Sequence, residues 1–148
     1  MHPPSQHAPL DAAQREVVAV IDTVFAALER RDLARLRSLY APDARFVSVR
    51  YEKGGTEVRQ TGVDEFLALI AADPDTLVER IWDPEVRIDR DVAAVWTPYE
   101  LHRGARWSHC GYNGFHLIRQ RGQWQIVAAT YTVRRDRGEE TDARPGTP

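Results

Sequence analysis

The densest group of residues able to do chemistry lies in Trp107–Leu117, read WSHCGYNGFHL, and in the run before it. His109 titrates near neutral pH when unperturbed, which suits it to proton transfer. Side chains of an extended chain repeat with a period of two, so His109 shares a face with Asn113, Phe115 and Leu117. Glu100 alternates with Val92, Ala94, Trp96 and His102. If that face is covered, Glu100 is a buried carboxylate able to act as a base or to orient His109. If it faces water, Glu100 is a solvated sheet residue and Tyr99 points inward instead. His109 has a plainer role open to it too, as a buried imidazole satisfied by a neighbour or as a ring turned outward.

Arg80 alternates with Trp82, and Arg87 with Asp89. One of these guanidinium groups could receive a ligand carboxylate through a paired hydrogen-bond fork, though a cross-strand surface ion pair is the commoner use. Trp82, Trp96, Tyr99 and Tyr131 could wall an aromatic pocket. The same rings suit the core of a curved sheet or a dimer interface. Cys110 alternates away from His109, which argues against a Cys–His pair and for a small buried filler. His102, His109 and His116 do not share one strand face, and no helix carries two closely spaced histidines, which disfavours zinc. Gly54-Gly55 reads as a turn and not a phosphate loop. Nothing in the sequence calls for a cofactor or a metal.

Three strands must position these groups: Val92–His102, Trp107–Leu117 and Trp124–Val133, separated by Arg103-Gly104-Ala105 and by Arg121-Gly122. Short Gly-containing breaks between such runs signal hairpins. Gly111 and Gly114 weaken the middle strand and suggest a bulge or bend that curves the sheet. Upstream, Asp11 with Gln14 reads as the cap of a helix whose stripe is Val17, Val20, Ile21, Val24, Phe25 and Leu28. Asp32 caps a short second helix with Leu33, Leu36 and Leu39, ended by Ala41-Pro42-Asp43. Phe46–Tyr51 and Thr56–Gln60 read as strands. Thr61 with Asp64 resembles a capping box opening a third helix, and Thr76–Asp89 is extended with Pro84 marking an edge or a bulge. Helices followed by a run of strands mean an α+β fold, with helices packed on one face of an antiparallel sheet.

A chain of 148 residues suits one domain with a real core. Its net charge of −2 gives no pull toward nucleic acid or anionic lipid. No apolar run is long enough to span a membrane. The N-terminus has neither the basic start nor the apolar core of a signal peptide, so a cytoplasmic setting is expected. A single cysteine, Cys110, rules out an intrachain disulfide. Residues 1–10 are expected to be a flexible segment, 11–135 the domain, and 136–148 a disordered tail.

The order of elements resembles the nuclear transport factor 2-like superfamily, in its SnoaL-like branch. The resemblance rests on ALERRDLARLRSLYAPDARFVSV at 27–49, the helix after TGVDEF, and FHLIRQRGQWQIVAATYT at 115–132. It implies a cone-shaped barrel, a curved sheet wrapped around a long helix with a pocket left inside, and frequent homodimers through the outer sheet. Members include ketosteroid isomerases, polyketide cyclases, scytalone dehydratases, limonene epoxide hydrolases and non-catalytic binding domains. The isomerase pattern fails here, because Phe46-Val47-Ser48 stands where its Asp would be and Val24 near its tyrosine. The Arg-x-Asp pattern of epoxide hydrolases is met only by Arg80-Ile81-Trp82, with Asp83 one step out of phase. Dehydratase-like members use histidines lining the cone, and His109 is the candidate. The expected protein binds a small hydrophobic or aromatic ligand as a homodimer. The alternatives are a cofactor-independent lyase or isomerase of polyketide-like or steroid-like rings, with His109 aided by Glu100 or Asn113, and a structural dimer without catalysis.

Overall fold

The computed structural model describes residues 7–136. The expectations for residues 1–6 and 137–148 therefore lie outside the described residues. Helix α1, Ala12–Arg30, opens on the capping box expected at Asp11 and Gln14, each side chain meeting the other's backbone N–H. Of the expected stripe, Val17, Ile21, Val24 and Leu28 are buried, together with Ala27, while Val20 and Phe25 are half-buried. Each of the larger aliphatic side chains contributes roughly 1.5–3 kcal/mol when fully buried. Asp32 caps α2, Leu33–Leu39, by accepting from the Arg35 N–H. Strand β1 then begins at once, Tyr40–Glu52, and turns through Gly54 (φ 93°) into β2, Gly55–Gly62. Helix α3, Val63–Ala72, has Gly62 at its N-cap without a side-chain hydrogen bond, so the capping box expected at Thr61 does not form. Thr61 is still in β2, paired with Phe46.

The stretch read as one extended segment is two strands, β3 (Leu77–Ile81) and β4 (Glu85–Asp89). They part at Trp82-Asp83-Pro84, where Asp83 takes a positive φ of 47°. Both lie along β5, Val92–Arg103, one pairing its end and the other its start. Strands β6 (Arg106–Gln120) and β7 (Gln123–Arg134) complete the sheet, in the order β2-β1-β7-β6-β5-β3 with β4 also on β5. Arg121 and Gly122 both have positive φ (53° and 75°), as the tightest hairpin turn requires. All neighbours run antiparallel except β1 and β7, which are parallel. The result is α+β: a curved, unclosed sheet wrapped around the helices.

Two features bend the middle of the sheet. At Gly111 the backbone of β7 comes so close that an added Cβ would stand 2.2 Å from the Thr132 carbonyl oxygen. The Thr132 hydroxyl accepts from the Tyr112 N–H (3.0 Å), and its carbonyl accepts from the Tyr99 hydroxyl (2.6 Å). In the β5–β6 hairpin, His102 pairs with Trp107 but Leu101 pairs with His109. Ser108 is therefore an extra residue, a bulge that shifts the register by one.

Candidate functional site

Inside the cone lies a cavity of about 200 Å³. Its helical side is apolar, formed by Val24, Phe25 and Leu28 of α1 and by Phe66 and Ile70 of α3, with Phe46 and Phe115 opposite. Phe46 stacks on Phe66 with ring centroids 4.2 Å apart. The polar residues sit on the strands: Tyr40 and Arg50 on β1, Glu79 on β3, Tyr99 and Arg103 on β5, His109 and Asn113 on β6, and Tyr131 on β7. Leu69 borders the same space and is 60% exposed, which marks the rim.

Five sequence candidates meet there. His109, Asn113, Phe115, Tyr99 and Tyr131 all border the cavity. The inner face of β6 is the one that the period of two assigned. The other four candidates lie elsewhere. Glu100 is on the outer face of β5, opposite Arg80 in the register with β3, and Arg80 itself is exposed. Trp96 is 54% exposed and stacks on Tyr112 with centroids 5.1 Å apart. Trp82 is buried but away from the cavity, its carbonyl accepting from the Thr97 hydroxyl. The sequence left either face of β5 open; Tyr99 takes the inward one and Glu100 the outward one, and the bulge sets that choice. A regular hairpin continued from Arg103↔Arg106 would set Glu100 against His109, whereas the extra Ser108 sets Leu101 there and moves every earlier side chain of β5 to the other face.

The carboxylate that does enter the cavity is Glu79. Asn113 Nδ2 donates to its Oε2 at 2.8 Å, a bond between the edge strand and the sheet centre. Burial raises the Glu79 carboxyl to about 7, and the Asn113 bond opposes that rise. Glu79 keeps intermediate exposure as a residue, and it borders the cavity. Burial also raises the Tyr40, Tyr99 and Tyr131 hydroxyls, and nearby Glu79 pushes each further up. All three remain neutral donors.

His109 moves the other way. Burial, and after it the cations of Arg135, Arg50 and Arg103, together lower it to about 3. Its Nδ1 is 3.0 Å from the Ser108 hydroxyl, and its ring meets Tyr99 edge-on at 5.9 Å. A histidine held neutral across the physiological range is a hydrogen-bonding group. Glu79, near half-ionised at neutral pH, is the residue able to exchange a proton there.

The mouth loop is clamped. Arg31, at the end of α1 in a left-handed conformation (φ 56°), donates to the carbonyls of Ile70, Asp73 and Asp75. Arg103 Nη1 holds the Asp73 carboxylate at 2.5 Å and lies 3.7 Å from Asp75. Sequence reasoning passed over Glu79, Arg50 and Tyr40. The available signal was a polar residue in phase with apolar ones, Glu79 between Leu77 and Ile81, and Arg50 after Ala44, Phe46 and Ser48.

A curved open sheet wrapped on a long helix, with a cavity kept inside, defines the cone-shaped nuclear transport factor 2-like class. Solved structures agree. A nuclear transport factor 2-like protein from Cytophaga hutchinsonii superposes with a TM-score of 0.68 at 15% identity, over 84% of this chain and 99% of that one. One with a cystatin-like fold from Novosphingobium aromaticivorans gives 0.67 at 15%, over 88% and 86%. A Xanthomonas campestris structure titled "Putative calcium/calmodulin dependent protein kinase II association domain" gives 0.63 at 25%, over 90% and 97%. No curated protein matches the sequence. The chain belongs to the family described as "Putative lumazine-binding", which matches residues 12–132.

Proposed function

We propose that the protein binds a small ring compound inside the cone, with the polar edge of the ligand on Glu79 and Asn113. The cavity carries this reading. An apolar cavity of about 150 Å³ takes up benzene, so about 200 Å³ suits one substituted ring or a compact pair of fused rings. Lumazine, named in the family's description, is a two-ring heterocycle and falls in that range. The four fused rings of a steroid would require the cone to open. The phrases at 27–49 and 115–132 support a SnoaL-like branch within that class. The test is native mass spectrometry of the purified protein followed by a thermal-shift screen of one- and two-ring compounds. Retained ligand or a stabilising compound supports the reading, because binding to the folded state raises apparent stability. No ligand and no shift across the set would refute it.

A second reading, a cofactor-independent lyase or isomerase, is favoured by one observation: a cavity carboxyl at about 7 beside neutral tyrosine donors. Glu79, and not Glu100, would then carry the proton, with His109 and Asn113 positioning the substrate. Deuterium uptake by cyclic ketones in heavy water, lost in Glu79→Gln, would establish it. Absence of exchange in the wild type would leave binding alone.

A homodimer through the outer sheet face fits the exposed Trp96–Tyr112 stack and the association-domain title of the Xanthomonas relative. Sedimentation of the wild type and Trp96→Glu decides it, and a monomeric wild type refutes it. Among the described residues no helix is long and apolar enough to cross a membrane. A reduced cytoplasmic setting suits Cys110, the chain's one cysteine, which is buried.

A further inference from the structure

We infer that the ligand carries an acidic group, a carboxylate on a ring of the size the cavity takes, and that Arg50 receives it. The inference rests on the binding reading above and names the ligand's chemical class. Arg50 is on the inner face of β1, in phase with Ala44, Phe46 and Ser48, and its side chain borders the cavity. Its Nε is buried and meets no hydrogen-bond partner. None of the ion pairs among the described residues uses it. A buried guanidinium nitrogen without an acceptor is unfavourable unless a partner arrives.

The acids close enough in the fold to serve it do not pair with it. Glu52, two residues along the same face of β1, is exposed and makes no ion pair with Arg50. Glu57 faces Arg50 across the β1–β2 ladder, but its carboxylate is held by Arg59 Nε at 2.5 Å, on an exposed stretch of edge strand. Asp73, which borders the cavity, is taken by Arg103 at 2.5 Å. Glu79 accepts from Asn113, and strands β7, β6 and β5 stand between β1 and its own strand. Of the two arginines bordering the cavity, Arg103 has its carboxylates, and Arg50 has none among the described residues.

The surroundings of Arg50 favour an anion further. Arg50, Arg103 and Arg135 all act on His109 as unfavourable neighbours for a positive charge, so that end of the cavity is electropositive. Arg50 also eases ionisation of Tyr99 and Tyr131 against the burial that opposes it. A planar carboxylate matches the two-pronged donor geometry of arginine, which a lysine cannot reproduce. The ring would lie against Phe46 and Phe115, with a hydroxyl or N–H of its far edge toward Glu79.

The test uses the full-length protein and three acid–amide pairs: benzoate and benzamide, 4-hydroxybenzoate and 4-hydroxybenzamide, and 2-naphthoate and 2-naphthamide. Titration calorimetry is run on the wild type, Arg50→Gln and Arg50→Lys, with folding checked by circular dichroism. The expected result is at least one acid binding the wild type about tenfold or more tighter than its amide. Arg50→Gln should remove that preference by weakening the acid while leaving the amide unchanged, and Arg50→Lys should restore only part of it. Should Arg50→Gln fail to fold, Arg50→Lys and the acid–amide ratio in the wild type decide. Acids and amides that bind the wild type alike, or a preference that survives in Arg50→Gln, would overturn the inference while the binding reading stands. Neutral rings that stabilise the protein, with none of the three acids binding better than its amide, would overturn it equally. If no ring compound binds at all, the binding reading falls and this inference falls with it.

Discussion

Replacing Glu79 by glutamine should stabilise the protein at pH 8 and leave it nearly unchanged at pH 5. The folded carboxyl titrates near 7 against an ordinary 4.5. Because the folded value is raised, the unfolded chain releases the proton first, and between those two values the folded state holds more protons. Stability from this group is complete below 4.5 and is lost as pH rises through 7. At about 1.4 kcal/mol per pH unit, the ceiling of that loss is about 3 kcal/mol. Water entering the cavity solvates the carboxylate in part, so about 1–2 kcal/mol is the figure to expect. Glutamine has no proton to lose, and its side-chain oxygen can still accept from Asn113 Nδ2 as Glu79 does now. The assay is urea denaturation of both proteins at pH 5, 6, 7 and 8, followed by far-UV circular dichroism at one protein concentration. The difference between variant and wild type should rise from about pH 4.5, be half complete at about 5.8, midway between the unfolded and folded values, and level off above about 7. A difference that is flat with pH, or a variant less stable than the wild type at pH 8, would refute the buried-carboxyl argument.

Gly111→Ala should be among the most damaging single-methyl additions in the chain, because its Cβ would meet the Thr132 carbonyl oxygen at 2.2 Å and backbone must move. A loss of about 2–3 kcal/mol in chemical denaturation is expected, and a loss below that of Gly114→Ala, whose nearest contact is the Trp96 ring at 3.3 Å, would count against it. Tyr99→Phe removes the 2.6 Å bond to the Thr132 carbonyl and should cost about 1–2 kcal/mol, with an unchanged melting temperature contradicting that role. His109 should show no change in its ring proton shifts between pH 5 and 8, since burial and three arginines hold it near 3. Its folded value is depressed, so the stability it contributes is present above about 6.5 and lost as pH falls toward 3. A titration midpoint above 5 by NMR would refute the assignment.

The sequence showed its helices and hairpins clearly because each rests on local rules. The α1 stripe, the Asp11–Gln14 box and the Arg121-Gly122 turn follow from spacing and backbone preference alone. The inner face of β6 followed too, because Asn113, Phe115 and Leu117 agree in phase with His109. What failed was the step from one strand to the next. A face can be carried from β6 to β5 only through the register, and one unpaired Ser108 inverts it. Nothing in RGARWSH announces that bulge. The α3 cap failed for a related reason, since Thr61 satisfies a capping pattern but is already committed to pairing with Phe46. Arg50 and Glu79 were harder still. Each is a charged residue in a strand where a solvent-facing reading is the ordinary one; its phase with apolar neighbours was the one inward signal, and the curvature of the sheet gives that face a cavity to border.

That curvature also explains why the interior keeps an open cavity. An arginine and a glutamate inside one cone would be expected to meet, form an ion pair and fill the space. Here no such pair is found among the described residues: Arg50 is on β1 and Glu79 on β3, with β7, β6 and β5 between them in the sheet order. The loop after α3 is tied down as well, because Arg31 and Arg103 hold Asp73 and Asp75. Glu79 is left with a neutral amide and a proton it can keep, and Arg50 with a buried nitrogen and no acceptor. A rigid frame that holds a guanidinium and a near-neutral carboxyl apart across an aromatic space is complementary to a ligand with an acid at one end and a donor at the other. The two groups then gain by binding what they cannot gain from each other.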